Sequence, residues 1–249
     1  MADDGVKRLR MFAGPNGSGK SSLVRLYARE FSPSGLFKLH HFINADELFI
    51  AMKGDGLDFQ AFGVDVTWTE LRDSLIGEAR LPADHPFLEA GQVRNSWLTA
   101  PADVCDGYVA ASVADFLREV LLACGQSFSF ETVMSHPSKI EFFARARVEG
   151  YRTYLYFIAT DSPVVNLGRV KERVARGGHD VPEEKMVARY QRCLQLLPEA
   201  LAHAHRAFLF DNSGSEPVWL AEFNPQGSCR LKVPGDSLPT WFSKRIECS

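Results

Sequence analysis

The chain has 249 residues and a formal net charge of −3 at pH 7, with 45% hydrophobic and 24% charged residues. This composition disfavours a disordered or coiled-coil protein, and the length suits one large α/β domain better than two small ones. The small net charge gives no general reason to expect nucleic acid or an anionic membrane as a partner.

The compartment and redox state follow from the start of the chain and its cysteines. The segment Met1-Ala2-Asp3-Asp4 is acidic, and no apolar run approaches the length of a membrane span. We therefore expect a cytoplasmic protein without a signal peptide. Five cysteines lie scattered, with no Cys-x-x-Cys pair, which favours reduced thiols over a disulfide framework or zinc site. They are Cys105, Cys124, Cys193, Cys229 and Cys248.

The first predicted strand, over residues 9–13, leads into a glycine-rich loop and then a helical pattern. The loop matches Gly-x-x-x-x-Gly-Lys-[Ser/Thr] at every fixed position. In such a loop the backbone N–H groups and the helix N-terminus face a phosphate, whereas the alternative is an ordinary glycine-rich turn. We predict that Lys20 reaches the β- and γ-phosphates of ATP and that Ser21 is a ligand of Mg²⁺. The predicted ATP-binding residues here are Gly14, Pro15, Asn16, Gly17, Ser18, Gly19, Lys20, Ser21 and Ser22.

A second strand is predicted over residues 37–43, and acidic side chains follow it in Asn44-Ala45-Asp46-Glu47. The carboxyl end of a strand is where an open parallel sheet places its ligands. We assign Asp46 as the general base that takes a proton from an acceptor hydroxyl. The competing interpretation is that Asp46 is a helix N-cap.

Residues 53–106 have the least regular pattern, with glycine, proline and aspartate among aromatic residues. Because a structureless loop of that length is unusual in a compact domain, we predict an insertion with short helices over residues 64–79 and 88–96. Its aromatic side chains either cover the acceptor site or form a small core of their own.

The remaining chain alternates helices with strands. Helices are predicted over residues 108–123, 137–150, 163–176 and from 182 to a kink or end at Pro198. Strands are predicted over residues 127–130, 151–159 and 207–210, and a terminal β-hairpin over 218–223 and 229–233. This order predicts an α/β fold with a mainly parallel sheet flanked by helices, a helical insertion and a C-terminal β-hairpin. We expect a single domain over 1–249, with 53–106 an acceptor-site insertion and 215–249 a hairpin extension.

Charged residues complete a set suited to phosphoryl transfer, which needs a phosphate cradle, a metal, an acceptor base and mobile cations. Glu131 follows a predicted strand and is assigned to orient substrate or metal-bound water. Arg169, Arg173 and Arg176 share a helical face that ends at a glycine pair, and Arg189 begins the next helix. These arginines are typical of a lid over a triphosphate, or else of a solvated surface. The histidines lack the spacing of a metal site.

Six short motifs occur in order between residues 9 and 214. They are Ala13-Gly14-Pro15-Asn16-Gly17-Ser18-Gly19-Lys20-Ser21, Phe42-Ile43-Asn44-Ala45-Asp46-Glu47, Phe130-Glu131-Thr132, Arg169-Val170-x-x-Arg173-Val174-x-x-Gly177-Gly178-His179-x-Val181-Pro182, Arg189-Tyr190 and Asp211-Asn212-Ser213. Together they resemble the zeta-toxin family of P-loop kinases. The resemblance implies a P-loop kinase core, with Asp46 as catalytic base and Glu131 as the second acidic residue at the acceptor.

The resemblance also implies ATP-binding and regulatory roles. Arg173, Arg176 and Arg189 match lid arginines that hold the ATP phosphates, and Asn212 matches a loop near the adenine. The implied catalytic set is thus Asp46, Glu131, Lys20, Arg173 and Arg176. The best-known toxins of this family phosphorylate the sugar of UDP-N-acetylglucosamine and are inhibited by a small antitoxin protein.

Two alternatives to this acceptor and activity stay open. Val133 stands where many relatives have a second threonine, which removes a hydroxyl from the acceptor side and favours another nucleotide or a small alcohol as acceptor. A nucleotide-dependent switch that binds a partner is the other alternative, although the guanine-selecting Asn-Lys-x-Asp motif is absent.

Overall fold

The computed structural model describes residues 5–31, 38–78, 80–175 and 182–248. These residues form ten strands and nine α-helices. The strands are β1 (Arg8–Ala13), β2 (His41–Ile43), β3 (Leu57–Asp58), β4 (Gln92–Arg94), β5 (Trp97–Thr99), β6 (Phe128–Thr132), β7 (Arg152–Ala159), β8 (Arg206–Asp211), β9 (Val218–Phe223) and β10 (Cys229–Leu231). The helices are α1 (Lys20–Phe31), α2 (Ala45–Lys53), α3 (Trp68–Gly77), α4 (Pro86–Ala90), α5 (Gly107–Ala123), α6 (Ser138–Val148), α7 (Pro163–Ala175), α8 (Glu183–Ala202) and α9 (Thr240–Ser243).

The chain divides into two compact units, one of Met1–Leu39 with Ser129–Ser249 and one of His40–Phe128. The predicted insertion at residues 53–106 lies inside the second unit. Among the described residues, we find no helix with the length and apolar character needed to cross a membrane.

The first unit contains a mostly parallel sheet, as predicted for an α/β fold. Its strands run in the order β10-β9-β8-β7-β1-β6. Strand β7 pairs in parallel with β1 and with β8, and it is almost entirely buried beyond Arg152. An apolar strand covered on both faces is what a sheet flanked by helices requires. The parallel pairing aligns the carboxyl ends of these strands along one edge.

The predicted C-terminal hairpin is confirmed, and it extends the sheet. Strand β9 pairs antiparallel with β8 and with β10. The turn between β9 and β10 is closed by the Asn224 side chain, which accepts hydrogen bonds from the N–H groups of Gln226 and Ser228. An asparagine that bonds backbone two and four residues ahead is a common turn former.

The second unit has a small helical core and a three-stranded sheet in the order β3-β5-β4. The predicted helix over residues 64–79 is confirmed in part as α3, which begins at a capping box between Thr67 and Glu70. Phe59 and Phe87 are fully buried, so these two insertion aromatics form a core. Trp97 in contrast is 42% exposed.

The predicted helix over residues 88–96 is wrong. Helix α4 ends at Ala90, and the chain then forms the hairpin of β4 and β5. Asn95 and Ser96 connect the two strands with φ values of 51° and 61°. Two consecutive left-handed residues define the two-residue hairpin turn that matches strand twist, and they cannot continue a right-handed helix.

The chain also departs from prediction at Pro198 and at the second strand. Helix α8 continues through Pro198 to Ala202, so of the predicted kink or end at this proline the end is wrong. Leu194, Leu197 and Ala200 are buried on either side, and their packing outweighs the lost backbone hydrogen bond. Strand β2 has only three residues, while residues 32–37 lie outside the described chain.

The prediction of five reduced cysteines is also wrong. Cys229 and Cys248 form a disulfide, with Cα atoms 5.0 Å apart. Trp241 and Phe242 of α9 are almost fully buried. Their packing within the first unit brings the end of the chain back to β10, where Cys229 lies. Cys105 and Cys193 are free and buried, and Cys124 is free and exposed.

We predict that thiol labelling of the unfolded protein modifies three cysteines without a reductant and five with one. A Cys229→Ser variant should lose about 3 kcal/mol of unfolding free energy, because the disulfide closes a loop across 19 positions. Denaturant unfolding under non-reducing conditions measures this loss. Cys124→Ser is the matched control and should leave the stability unchanged. Labelling of all five cysteines without a reductant would contradict the disulfide.

Candidate active site

The glycine-rich loop lies between β1 and α1 in the first unit. Gly17 and Gly19 have φ values of +73° and +98°, which residues with a Cβ atom rarely adopt. A Cβ at Gly17 would lie 2.6 Å from the Asn166 carbonyl oxygen, and one at Gly19 would lie 2.3 Å from Asn212 Nδ2. The loop therefore requires glycine at both positions for its conformation and for the close approach of two asparagines.

Lys20, Ser21 and Glu131 come together where α1 begins. The Ser21 hydroxyl is within hydrogen-bond distance of both Glu131 carboxylate oxygens, at 2.9 and 3.1 Å. The buried Lys20 ammonium donates to the Pro15 carbonyl at 3.0 Å and lies 3.9 Å from Glu131 Oε1. Glu131 belongs to β6, which continues one residue past it. A hydroxyl, a carboxylate and an ammonium thus lie together at the junction of the loop and α1.

This oxygen-rich corner fits Mg²⁺. Mg²⁺ is usually held by one or two protein oxygens together with substrate phosphates and water. Because the Ser21 hydroxyl donates its proton to a carboxylate, its lone pairs are available to a cation. In the described ranges, no group of three or more His, Cys, Asp or Glu residues could hold a metal ion. Ser21 and Glu131 lie together and could hold Mg²⁺ beside a phosphate.

Asn212 contacts the loop itself. Its Nδ2 donates to the Ser18 carbonyl at 2.8 Å. Arg169 in turn donates to the carbonyls of Asn212, at 2.7 Å, and Gly214, at 2.9 Å. Arg169, which the sequence groups with the lid arginines, is thus bound to the chain after β8.

Two of the other predicted lid arginines lie in the described helices α7 and α8. Arg173 is exposed on α7, and Arg189 is half-buried on α8. Arg176 and the glycine pair that follows it lie outside the described residues. Ser22 is exposed, and its hydroxyl accepts a hydrogen bond from Arg25. The predicted lid therefore stays a prediction.

Asp46 lies in the second unit, in the first turn of α2. The N-cap of that helix is Asn44, whose side chain accepts hydrogen bonds from the N–H groups of Asp46 and Glu47. The competing interpretation of Asp46 as the N-cap is therefore wrong. Asp46 is exposed.

Sequence reasoning did not single out Asn166, which is 2% exposed. Its Nδ2 donates to the Asn16 carbonyl, and its Oδ1 is bonded to the Thr160 hydroxyl. Tyr190 donates to the Thr160 carbonyl at 2.7 Å, and burial raises the pKa of Tyr190 to about 12. The available signal was an asparagine four residues before Val170, on the buried face of an amphipathic helix.

Comparison with known proteins shows the fold. No protein-family model and no curated protein matches the chain. The chain is similar to crystal structures of the AvrRxo1-ORF1:AvrRxo1-ORF2 complex, with a TM-score of 0.52 and 12% identity for the structure with ATP. For the structure with sulphate ions the TM-score is 0.51 and the identity 12%. In both cases the match covers 91% of this chain and 61% of that chain.

A weaker similarity exists to a structure of the PezAT chromosomal toxin-antitoxin system of Streptococcus pneumoniae. Its TM-score is 0.44 and its identity 14%, over 86% of this chain and 72% of that chain. At 12% identity the comparisons with the AvrRxo1 complex show the fold alone. The chain has the α/β architecture found in the AvrRxo1 complex, and it spans about 61% of the chain that it matches there.

We predict that Gly19→Ala weakens ATP binding at least about tenfold, because the new Cβ meets the amide of Asn212 and the residue has a positive φ. Isothermal titration calorimetry with ATP and Mg²⁺ measures the change. Gly168→Ala is the matched control, since nothing lies within 4 Å of a Cβ at that position in α7. Equal affinities of both variants and the wild type would contradict the loop geometry.

Proposed function

We propose that the protein is an ATP- and Mg²⁺-dependent kinase that transfers a phosphoryl group to a hydroxyl of a small molecule. The observation that supports this most directly is the cluster of Lys20, Ser21 and Glu131 at the end of a glycine-rich loop. Phosphoryl transfer depends on positioning and on charge stabilisation, and this cluster offers a cation and metal ligands where the loop presents N–H groups.

The residues divide the work as follows. Lys20 neutralises charge on the β- and γ-phosphates, while Ser21 and Glu131 would hold Mg²⁺. When bound, this ion would stabilise the negative charge that develops on the phosphate oxygens. Asp46 accepts the proton of the acceptor hydroxyl, and its exposed carboxylate supports that role. Arg173, Arg176 and Arg189 bind phosphates from α7, the segment after it and α8.

The finer proposal is a zeta-type toxin that phosphorylates the sugar of UDP-N-acetylglucosamine and is held inactive by an antitoxin. The ordered motifs of the resemblance support it. The fold shared with the AvrRxo1 complex adds support, since that structure is a complex of two proteins and was obtained with ATP. The small net charge of −3 supports an enzyme without nucleic acid or membrane partners.

Another acceptor is the second candidate, and the chain after Glu131 favours it. Val133 offers no hydroxyl, and the Thr132 hydroxyl accepts a hydrogen bond from the Met134 N–H. Met134 is buried with a φ of 54°, so this turn has a fixed shape. Fewer hydroxyl groups for the acceptor favour a different nucleotide or a small alcohol over a sugar.

We predict that protein, ATP, Mg²⁺ and a metabolite extract yield a species that gains one phosphoryl group by mass spectrometry. Asp46→Asn should abolish most of kcat and keep the affinity for ATP, because the amide cannot accept a proton. Asp73→Asn, an exposed carboxylate on α3, is the control and should retain wild-type kcat. Wild-type turnover by Asp46→Asn would remove Asp46 as the base.

An assay with purified UDP-N-acetylglucosamine distinguishes this sugar from the other proposed acceptors. We expect its phosphorylation by the wild type and the loss of this product with Asp46→Asn. Expression of the wild type, but not of Asp46→Asn, should then arrest growth of a bacterial host. A labelled metabolite other than the UDP-sugar, formed in an Asp46-dependent manner, would reject this acceptor and keep the kinase. Slow ATP hydrolysis with no labelled acceptor would favour a nucleotide-dependent switch.

A further inference from the structure

Two asparagines from outside the glycine-rich loop hold its backbone. Asn166 of α7 donates from Nδ2 to the Asn16 carbonyl, and Asn212, after β8, donates from Nδ2 to the Ser18 carbonyl. A backbone carbonyl only accepts hydrogen bonds, so the NH₂ end of each side chain must face the loop. For Asn166 the opposite end is fixed as well, because Oδ1 is bonded to the Thr160 hydroxyl.

A hydrogen bond that holds a backbone carbonyl in place also fixes the direction of the N–H group of the following residue. A trans peptide is planar, and its C=O and N–H point in opposite directions. A bond to the Asn16 carbonyl therefore directs the Gly17 N–H away from Asn166, and a bond to the Ser18 carbonyl directs the Gly19 N–H away from Asn212. Within the described chain, neither of these N–H groups donates a hydrogen bond to another protein group. Two oriented amides thus remain for an anion.

The two glycines make room for the two asparagines. The space that a Cβ at Gly17 would fill is taken by the Asn166 backbone, and the corresponding space at Gly19 is taken by the Asn212 side chain. Gly17 occupies a position where the loop motif accepts any residue. The neighbouring helix, and not the motif, explains why this chain has glycine there.

Both asparagines are themselves held by the first unit. The Thr160 carbonyl accepts a hydrogen bond from the buried Tyr190, which connects Asn166 to α8. Arg169 donates to the Asn212 carbonyl, and the Asn212 N–H donates to the Ala159 carbonyl at the end of β7. Because each asparagine is held by the surrounding helices and strands, its hydrogen bond fixes the orientation of one peptide group of the loop.

We infer that Asn166 and Asn212 are positioning residues, which orient the Gly17 and Gly19 N–H groups toward the phosphates of the nucleotide. This inference rests on the proposed function for the identity of the anion, and on the structure alone for the orientation of the loop. It assigns Asn212 a role at the phosphates in addition to the expected adenine side. It also adds Asn166, which no motif contains.

Inorganic pyrophosphate with Mg²⁺ is the probe, because it has no adenine. Asn166→Ala and Asn212→Ala should each weaken its binding by about tenfold, measured by calorimetry, through the loss of one oriented hydrogen bond. Hydrogen exchange of residues 14–19 without ligand should become faster in both variants. Because Asn212 is only half-buried, its variant provides the test if Asn166→Ala does not fold.

Asn224→Ala is the matched control, since Asn224 also bonds backbone but in the β9–β10 turn. It should lower Tm while pyrophosphate affinity and loop exchange stay unchanged. Wild-type affinity and loop exchange in both Asn166→Ala and Asn212→Ala would overturn the inference. If the wild type binds neither pyrophosphate nor ATP, the proposed function fails, and loop exchange still decides whether the asparagines fix the loop.

Discussion

A loop that binds an anion through its backbone must keep several N–H groups without protein partners while its carbonyls are satisfied. In this protein the carbonyls of Pro15, Asn16 and Ser18 each accept a hydrogen bond from a side chain, provided by Lys20, Asn166 and Asn212 respectively. These three bonds come from α1, α7 and the end of β8. The loop conformation consequently depends on the parallel arrangement of β1, β7 and β8, which places those donors around it.

The charges at the start of α1 depend on the same arrangement. The Lys20 ammonium is buried, and burial of a charge requires partners. Glu131 on β6 and the Pro15 carbonyl supply them. Glu131 also contacts the Ser21 hydroxyl, so one carboxylate links the cation to the expected metal ligand. Replacement of Glu131 by an uncharged residue would therefore remove a partner of both the Lys20 ammonium and the Ser21 hydroxyl.

The fold could be predicted from sequence where the pattern of apolar residues determines structure. Strand β7 is a continuous apolar run, and helix α5 has apolar residues along its buried face. Prediction was wrong where a local turn conformation or a tertiary contact decided the outcome. The turn at Asn95 and Ser96 requires two left-handed residues that no periodicity reveals. The disulfide between Cys229 and Cys248 depends on the packing of α9, a contact between distant parts of the chain.

The loop residues of the candidate site could be predicted from a contiguous motif, because local backbone geometry requires them. Glu131 followed from its place in a strand that enters the same sheet. Asn166 could not be predicted, since its role is a tertiary contact made from the buried face of a helix. The hydrogen bond from Asn212 to the Ser18 carbonyl could not be predicted either, because it depends on how the segment after β8 packs onto the glycine-rich loop.

A crystal structure with Mg²⁺ and a non-hydrolysable ATP analogue would test most directly whether this loop is the triphosphate site. We expect density for the β- and γ-phosphates at the N–H groups of Gly17 and Gly19, with Lys20 Nζ on their oxygens and Mg²⁺ on Ser21 Oγ. Nucleotide density elsewhere, or an empty loop at a saturating concentration of the analogue, would contradict the proposed kinase.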